Sequence, residues 1–169
     1  MSDGIQLIPV TSVGGVLDKD LRDWFEEEFG RADRWASPDY YAIYRVGDRL
    51  AGRLGILDRQ VVVGGAIIRV GGIGGVATRP EFRRRGIASA MLTRATEFMR
   101  HDLGLEFGLL LCRPEVSPVY AKLGWTRADG PTTFVRSGVI GTYSNYTMIL
   151  SLAGKRWPEG AINMMGPPW

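Results

Sequence analysis

Residues 67–99 read IIRVGGIGGVATRPEFRRRGIASAMLTRATEFM, and this stretch decides the fold. Its first part belongs to a strand-forming run over residues 66–78, interrupted by two glycine pairs. Glycines inside a strand mark a bulge or a close approach of another group to the backbone. A bulge here would splay the strand from its neighbour and open a slot for an extended ligand. The last part places Ile87, Met91, Ala95, Phe98 and Met99 on one face of a helix, with Arg94, Glu97 and Arg100 on the polar side. Between the two, Pro80 turns the chain sharply, and Arg83, Arg84 and Arg85 precede Gly86 where the helix begins.

That junction has the chemistry of a diphosphate cradle. The first turn of a helix has N–H groups without intrahelical partners and a partial positive charge, which together favour phosphate. Gly86 has no Cβ to hold a diphosphate away, and Ala88 and Ser89 keep the next turn slim. The three arginines add guanidinium groups suited to phosphate oxygens. Two other phosphate signatures fail. GxxxxGK[ST] does not occur, and GGIGGVAT runs into a proline instead of a helix.

Outward from this unit the chain alternates strands and helices. GIQLIPV (4–10) reads as a strand, and VLDKDLRDWFEEEF (16–29) as an amphipathic helix with Val16, Leu17, Leu21, Trp24 and Phe25 on its apolar side. Residues 40–46, 49–63 and 66–78 read as consecutive strands joined by Gly47-Asp48 and Gly64-Gly65 turns. EFGLLLCR (106–113) is a strand buried on both faces, and residues 114–124 form a short helix closed by Gly124. Strands near 125–128, 131–136 and 143–151 complete the sheet. The expectation is one α/β domain over residues 1–169, with its core at about 4–151 and a Gly/Pro-containing tail at 152–169.

Composition narrows the function classes. At 169 residues, with 45% hydrophobic and 23% charged residues, the chain has the make-up of a globular domain. No apolar run approaches the ~18 residues of a membrane span, and the N-terminus lacks the pattern of a signal peptide, so a cytoplasmic protein is expected. Cys112 is the only cysteine and His101 the only histidine, which argues against a metal site and against a Ser-His-Asp triad. Residues 1–40 hold nine acids and four bases, whereas the remainder holds nine acids and 17 bases. This asymmetry suits an anionic ligand on the basic part and a cationic one near the acidic part. The basic excess is modest and no recognition motif is visible, so nucleic acid is not an expected partner.

The strand followed by Arg83-x-x-Gly86-x-Ala88 opening a helix resembles the acyl-CoA-binding motif of the GCN5-related N-acetyltransferases, and the later segment YAKLGW (120–125) is similar to theirs. The resemblance covers roughly residues 1–150. It implies the GNAT fold: a mixed, mostly antiparallel central sheet splayed at a bulged strand and flanked by helices. It also implies acetyl-CoA as co-substrate, its pyrophosphate on the amides of the turn from Arg83 to Ser89, Ile87 included, and its pantetheine arm along Val76, Ala77 and Thr78. Tyr120 matches the tyrosine that protonates the leaving thiolate.

Within that superfamily the order of motifs, with GPT at 130–132 and a terminal tryptophan, resembles the aminoglycoside 2′-N-acetyltransferases. The tail RWPEGAINMMGP (156–167) is similar to the end of the nodulation N-acyltransferases. Both act on an amine carried by a sugar, which makes a small amine, an aminoglycoside or other amino sugar, the expected acceptor. By this resemblance Asp33, Asp39 and the Trp169 carboxylate line the acceptor site, with Glu28 a further acidic candidate. One departure is Gly74, which stands where the aminoglycoside enzymes have a glutamate as base. Candidates to replace it are Asp33, Asp39, Glu28, the Trp169 carboxylate or a water chain. Two other functions stay open: acetylation of a peptide or protein amine, and a non-catalytic acyl-CoA-binding sensor that lacks the base. The apolar tail NMMGPPW needs a surface to pack on, and a second copy in a homodimer would supply one. A buried, apolar Cys112 has no reason to ionise and is expected to serve packing.

Overall fold

The computed structural model describes residues 4–169; Met1–Asp3, including the Asp3 counted above, lie outside them. Strand β1 (Gly4–Pro9) leads into helix α1 (Gly15–Phe29), followed by β2 (Tyr40–Val46), β3 (Arg49–Val63) and β4 (Ala66–Thr78). Helix α2 (Ile87–His101), β5 (Phe107–Cys112) and the short helix α3 (Ser117–Ala121) come next. The rest is β6 (Thr126–Arg127), β7 (Thr132–Arg136), β8 (Val139–Thr142), β9 (Tyr146–Ser151) and β10 (Ile162–Asn163). The strands lie in the order β6-β9-β5-β4-β3-β10-β7-β8, with β2 pairing the other end of β3 and β1 pairing β2. Pairing is antiparallel except for β4 with β5 and β10 with β7, so the sheet is mixed and mostly antiparallel as expected.

Helix α2 covers one face of this sheet. Ile87, Met91, Ala95 and Met99 are buried as the helical period predicts, and Leu92 joins them. They pack on Ala51, Leu54, Ile56 and Ile73, giving the largest core cluster. Each of the buried Ile, Leu and Met side chains taken from water contributes about 1.5–3 kcal/mol. Gly52 makes the contact close: a Cβ there would lie 2.8 Å from Ile87 and 2.7 Å from Met91. Helix α1 buries Leu21 and Trp24, and Leu21 packs with Tyr41 and Ile43. Val16, expected on that apolar face, is 76% exposed, because the helix has only just begun there and reaches past its support.

The last residues are woven into the fold instead of hanging from it. β10 pairs with β3 and with β7, and Ile162, Met164 and Trp169 are buried with Leu57, Val61, Phe107 and Leu109. The surface that the apolar tail required is thus supplied by the chain itself. No helix among the described residues is long and apolar enough to cross a membrane.

Candidate active site

The sheet opens where β4 meets β5. The two strands pair in parallel from Val70–Phe107 to Ile73–Leu110 and no further, although β4 runs on to Thr78 and β5 to Cys112. The cause is the glycine-rich segment. Gly55 of β3 pairs with Gly74, but Arg53 pairs with Ala77, so Gly75 and Val76 together oppose Leu54. Gly75 has φ +60°, a conformation that glycine adopts without steric cost. The bulge therefore exists as the sequence predicts, and it turns the end of β4 away from β5. A cleft of about 1390 Å³ fills the gap, lined by Val76, Ala77 and Thr78 on one side and by Leu111, Cys112 and Tyr120 on the other.

At one end of the cleft lies the arginine–glycine turn. Arg84 (φ +62°) and Gly86 (φ +75°) are both left-handed, which curls the chain into α2. The first helical bond runs from Ala90 N–H to the carbonyl of Gly86, so the amides of Ile87, Ala88 and Ser89 precede the helical ladder. A Cβ on Gly86 would meet nothing within 4 Å, so the space above the turn is open to a ligand. Arg83, Arg84, Gly86, Ile87, Ala88 and Ser89 line the cleft; Arg83 Nε donates to the Thr78 carbonyl at 3.1 Å, tying the turn to the end of β4. Arg85 does not line the cleft. It donates to the Glu81 carbonyl at 3.2 Å and lies 5.3 Å from the centre of the Phe82 ring. Of the three arginines of the turn, Arg83 and Arg84 thus border the cleft.

Tyr120 projects from α3 into the cleft, edge-on to Trp125 with ring centres 6.5 Å apart. Burial pushes its hydroxyl up to about 12, so it holds its proton at neutral pH. Cys112 also lines the cleft, and burial pushes its thiol up to about 11, as packing without ionisation requires.

Trp169 lies at the centre of the same cleft wall. Its indole N–H donates to the Leu109 carbonyl at 3.2 Å, and the preceding carbonyl, of Pro168, accepts from Ala36 N–H at 2.8 Å. Two glycines of β4 admit it. A Cβ at Gly72 would lie 2.5 Å from the indole nitrogen, and one at Gly74 would lie 2.9 Å from the main-chain carbonyl carbon of Trp169. The end of Trp169 thus occupies the space where a side chain at position 74 would begin.

The acidic candidates divide. Glu28 and Asp33 line the cleft, Glu28 accepting from the Trp24 indole at 3.4 Å. Asp33 accepts from Nε and Nη2 of Arg31, at 3.1 and 2.5 Å, and this hydrogen bonding lowers its carboxyl below the ordinary value. Asp39 is not among the lining residues. Its carboxylate accepts from the Asp58 amide at 2.8 Å and from Arg59 at 2.6 Å, so it pins the start of β2 to β3. Sequence reading missed Arg53, which lines the cleft while only 2% exposed. Its Nη1 donates to the Leu21 carbonyl at 2.5 Å and its Nε to Gly75 at 3.2 Å, with the rings of Phe25 and Tyr41 at 5.1 and 5.3 Å.

A splayed β4/β5 pair, a bulge and an arginine–glycine turn opening a helix define a class, and comparison with known proteins gives the same one. The sequence model of the acetyltransferase (GNAT) domain matches residues 15–128. The chain belongs to this acetyltransferase family, whose members take the acyl group from a CoA thioester. No curated protein matches the sequence. Among solved structures, it is similar to a GCN5-related N-acetyltransferase from Kribbella flavida, with a TM-score of 0.56 and 23% identity over 75% of this chain and 34% of that one. It therefore spans about a third of that protein's length. The GNAT family N-acetyltransferase YhbS from Escherichia coli, solved in complex with CoA, gives a TM-score of 0.63 at 16% identity, covering 98% of this chain and 91% of YhbS. Escherichia coli ElaA gives 0.64 at 12% identity, covering 87% and 98%.

Proposed function

We propose that the chain transfers an acetyl group from acetyl-CoA to a small primary amine by direct attack in the β4/β5 cleft. The observation that carries this reading is the joint geometry of the cleft: an open bulged strand, a phosphate turn at one end and a protonated tyrosine facing the strand. The residues fit CoA. The amides of Ile87, Ala88 and Ser89, with Arg83 and Arg84, would hold its diphosphate, and the free edge of β4 at Val76, Ala77 and Thr78 would pair with its extended arm. When bound, the thioester supplies an acetyl carbon activated toward amines.

The chain's own groups then manage protons and charge. A β4 amide near Val76 polarises the carbonyl oxygen as negative charge builds there. The carboxylate of Trp169, in a chain that ends there, accepts a proton from the acceptor ammonium, taking the part of the side chain that Gly74 lacks. The bond from amine nitrogen to acetyl carbon forms as the carbon–sulfur bond breaks, and Tyr120 donates its proton to the departing sulfur. Solvent returns a proton to Tyr120 as the amide nitrogen loses its second one. In a chain that ends at Trp169, its carboxylate beside Gly74 supports this catalytic reading over a sensor without a base.

For the acceptor, Glu28 and Asp33 in the cleft wall support a cationic amine, of which an amino sugar is one kind. With Asp39 bound to Arg59 and Asp33 to Arg31, Glu28 is the acid of the three that makes no ion pair among the described residues. This supports an acceptor with few amines over a polycation. The test is kinetic. Tyr120→Phe should lower kcat about 100-fold with little change in KM for acetyl-CoA. Extending the chain by one glycine after Trp169 should lower kcat and shift the acid limb of the pH profile. Unchanged kcat in both variants would remove these roles.

A further inference from the structure

Arg53 carries a buried positive charge into the cleft, and no carboxylate pairs with it among the described residues. Withdrawing a guanidinium from water is costly unless its N–H groups and its charge are both met. The carbonyls of Leu21 and Gly75 take one hydrogen bond each from Nη1 and Nε, and Phe25 and Tyr41 offer ring faces. Nη2 donates no hydrogen bond among the described residues. It lies beside the bulge, 3.0 Å from the position that a Cβ on Gly75 would take. The preceding residue, Gly74, borders the main-chain carbonyl carbon of Trp169 in the same way. Consecutive Cα atoms are about 3.8 Å apart. A guanidinium and, in a chain that ends at Trp169, a carboxyl group thus border two successive residues, the last before the bulge and the first within it.

Two opposite charges that border neighbouring residues without pairing with each other match an acceptor that itself carries an amine and a carboxylate a few bonds apart. We infer that the acceptor is an amino carboxylate, a free amino acid or a close relative, whose carboxylate binds Nη2 of Arg53 while its amine lies beside Trp169. The inference rests on the acyl-transfer reading above and narrows its substrate class. Arg53 then has two effects. It fixes the acceptor by a charge-assisted hydrogen bond, and its field lowers the basicity of the nearby ammonium, helping it to reach the neutral form that attacks. The same field repels polycations.

The experiment compares free amino acids with their amides, and with aminoglycosides, as acceptors for the wild-type protein and acetyl-CoA, reading CoA release. The expected result is a kcat/KM about tenfold or more higher for the acid than for its amide, with aminoglycosides poorer still. Arg53→Gln should erase the difference between acid and amide, lowering the rate for the acid more than the rate for the amide. Amides or aminoglycosides that match or exceed the free acids on the wild type overturn the inference without any variant. If no amine is turned over, the acyl-transfer reading fails, and calorimetry on the CoA-loaded wild type decides the anion site by itself. Binding of free amino acids but not of their amides supports it, and equal or absent binding of both overturns it.

Discussion

The main-chain carbonyl carbon of Trp169 stands 2.9 Å from the point where Gly74 would carry a Cβ, so Trp169 and the bulged strand compete for one space. Neither can change alone. Gly74→Ala should push the end of the tail away from β4, straining the bonds from Trp169 to Leu109 and from Ala36 to Pro168. Overpacking of this kind costs about 1–3 kcal/mol, to be read as a lower denaturation midpoint, and catalysis should fall by more than that loss of stability explains. A variant with unchanged stability and rate would show that the tail moves freely.

The turn makes a contrast between neighbouring arginines. Arg83→Ala and Arg84→Ala should each weaken CoA binding about fivefold, roughly 1 kcal/mol, and the loss should shrink as salt is raised. Arg85→Ala should leave CoA affinity within about twofold of wild type, because Arg85 lies over Phe82 and outside the cleft. Calorimetric titration of all three with CoA checks this.

Asp39 is predicted to be structural. Asp39→Ala removes the acceptor for the Asp58 amide and for the partly exposed Arg59, and should cost about 1–2 kcal/mol of stability. The acceptor KM should not change in the folded protein. A raised acceptor KM with unaltered stability would return Asp39 to the site.

The Tyr120 hydroxyl gives a pH signature. Its folded-state value, pushed up to about 12 by burial, lies above the ordinary tyrosine value of 10.0. The unfolded chain therefore releases this proton first, and the stability tied to it is whole below the ordinary value and lost as pH rises toward the folded one. Tyr120→Phe should flatten the fall in unfolding free energy between about pH 10 and pH 12. Burial shifts Cys112 the same way and leaves part of that fall in place.

The unit from Ala66 to His101 was legible because it is written in local terms: glycines for the bulge, a proline for the turn and a helical period for the core face. Short β8 and β10 were not. Val139 and Ile140 are 67% and 75% exposed, so β8 has no buried face to leave a pattern. The two residues of β10 are strand only because β3 and β7 present free edges to them. Arg53 reads locally as an ordinary charged residue in a strand; its burial comes from α1 crossing above it, through a bond to Leu21 thirty-two residues away. The same distance effect hides the partners of Asp39, whose carboxylate meets Arg59 twenty residues on. Side chains whose role depends on partners far along the chain carry no local mark.

The central claim is direct transfer from acetyl-CoA to an amine in this cleft, and rapid-mixing measurement of CoA release tests it most directly. With wild-type protein, acetyl-CoA and a panel of amino acids and amino sugars, release should depend on the amine from the first turnover and yield one N-acetylated product per CoA. A burst of CoA without amine, or no amine-dependent release across the panel from protein that binds acetyl-CoA, would contradict it.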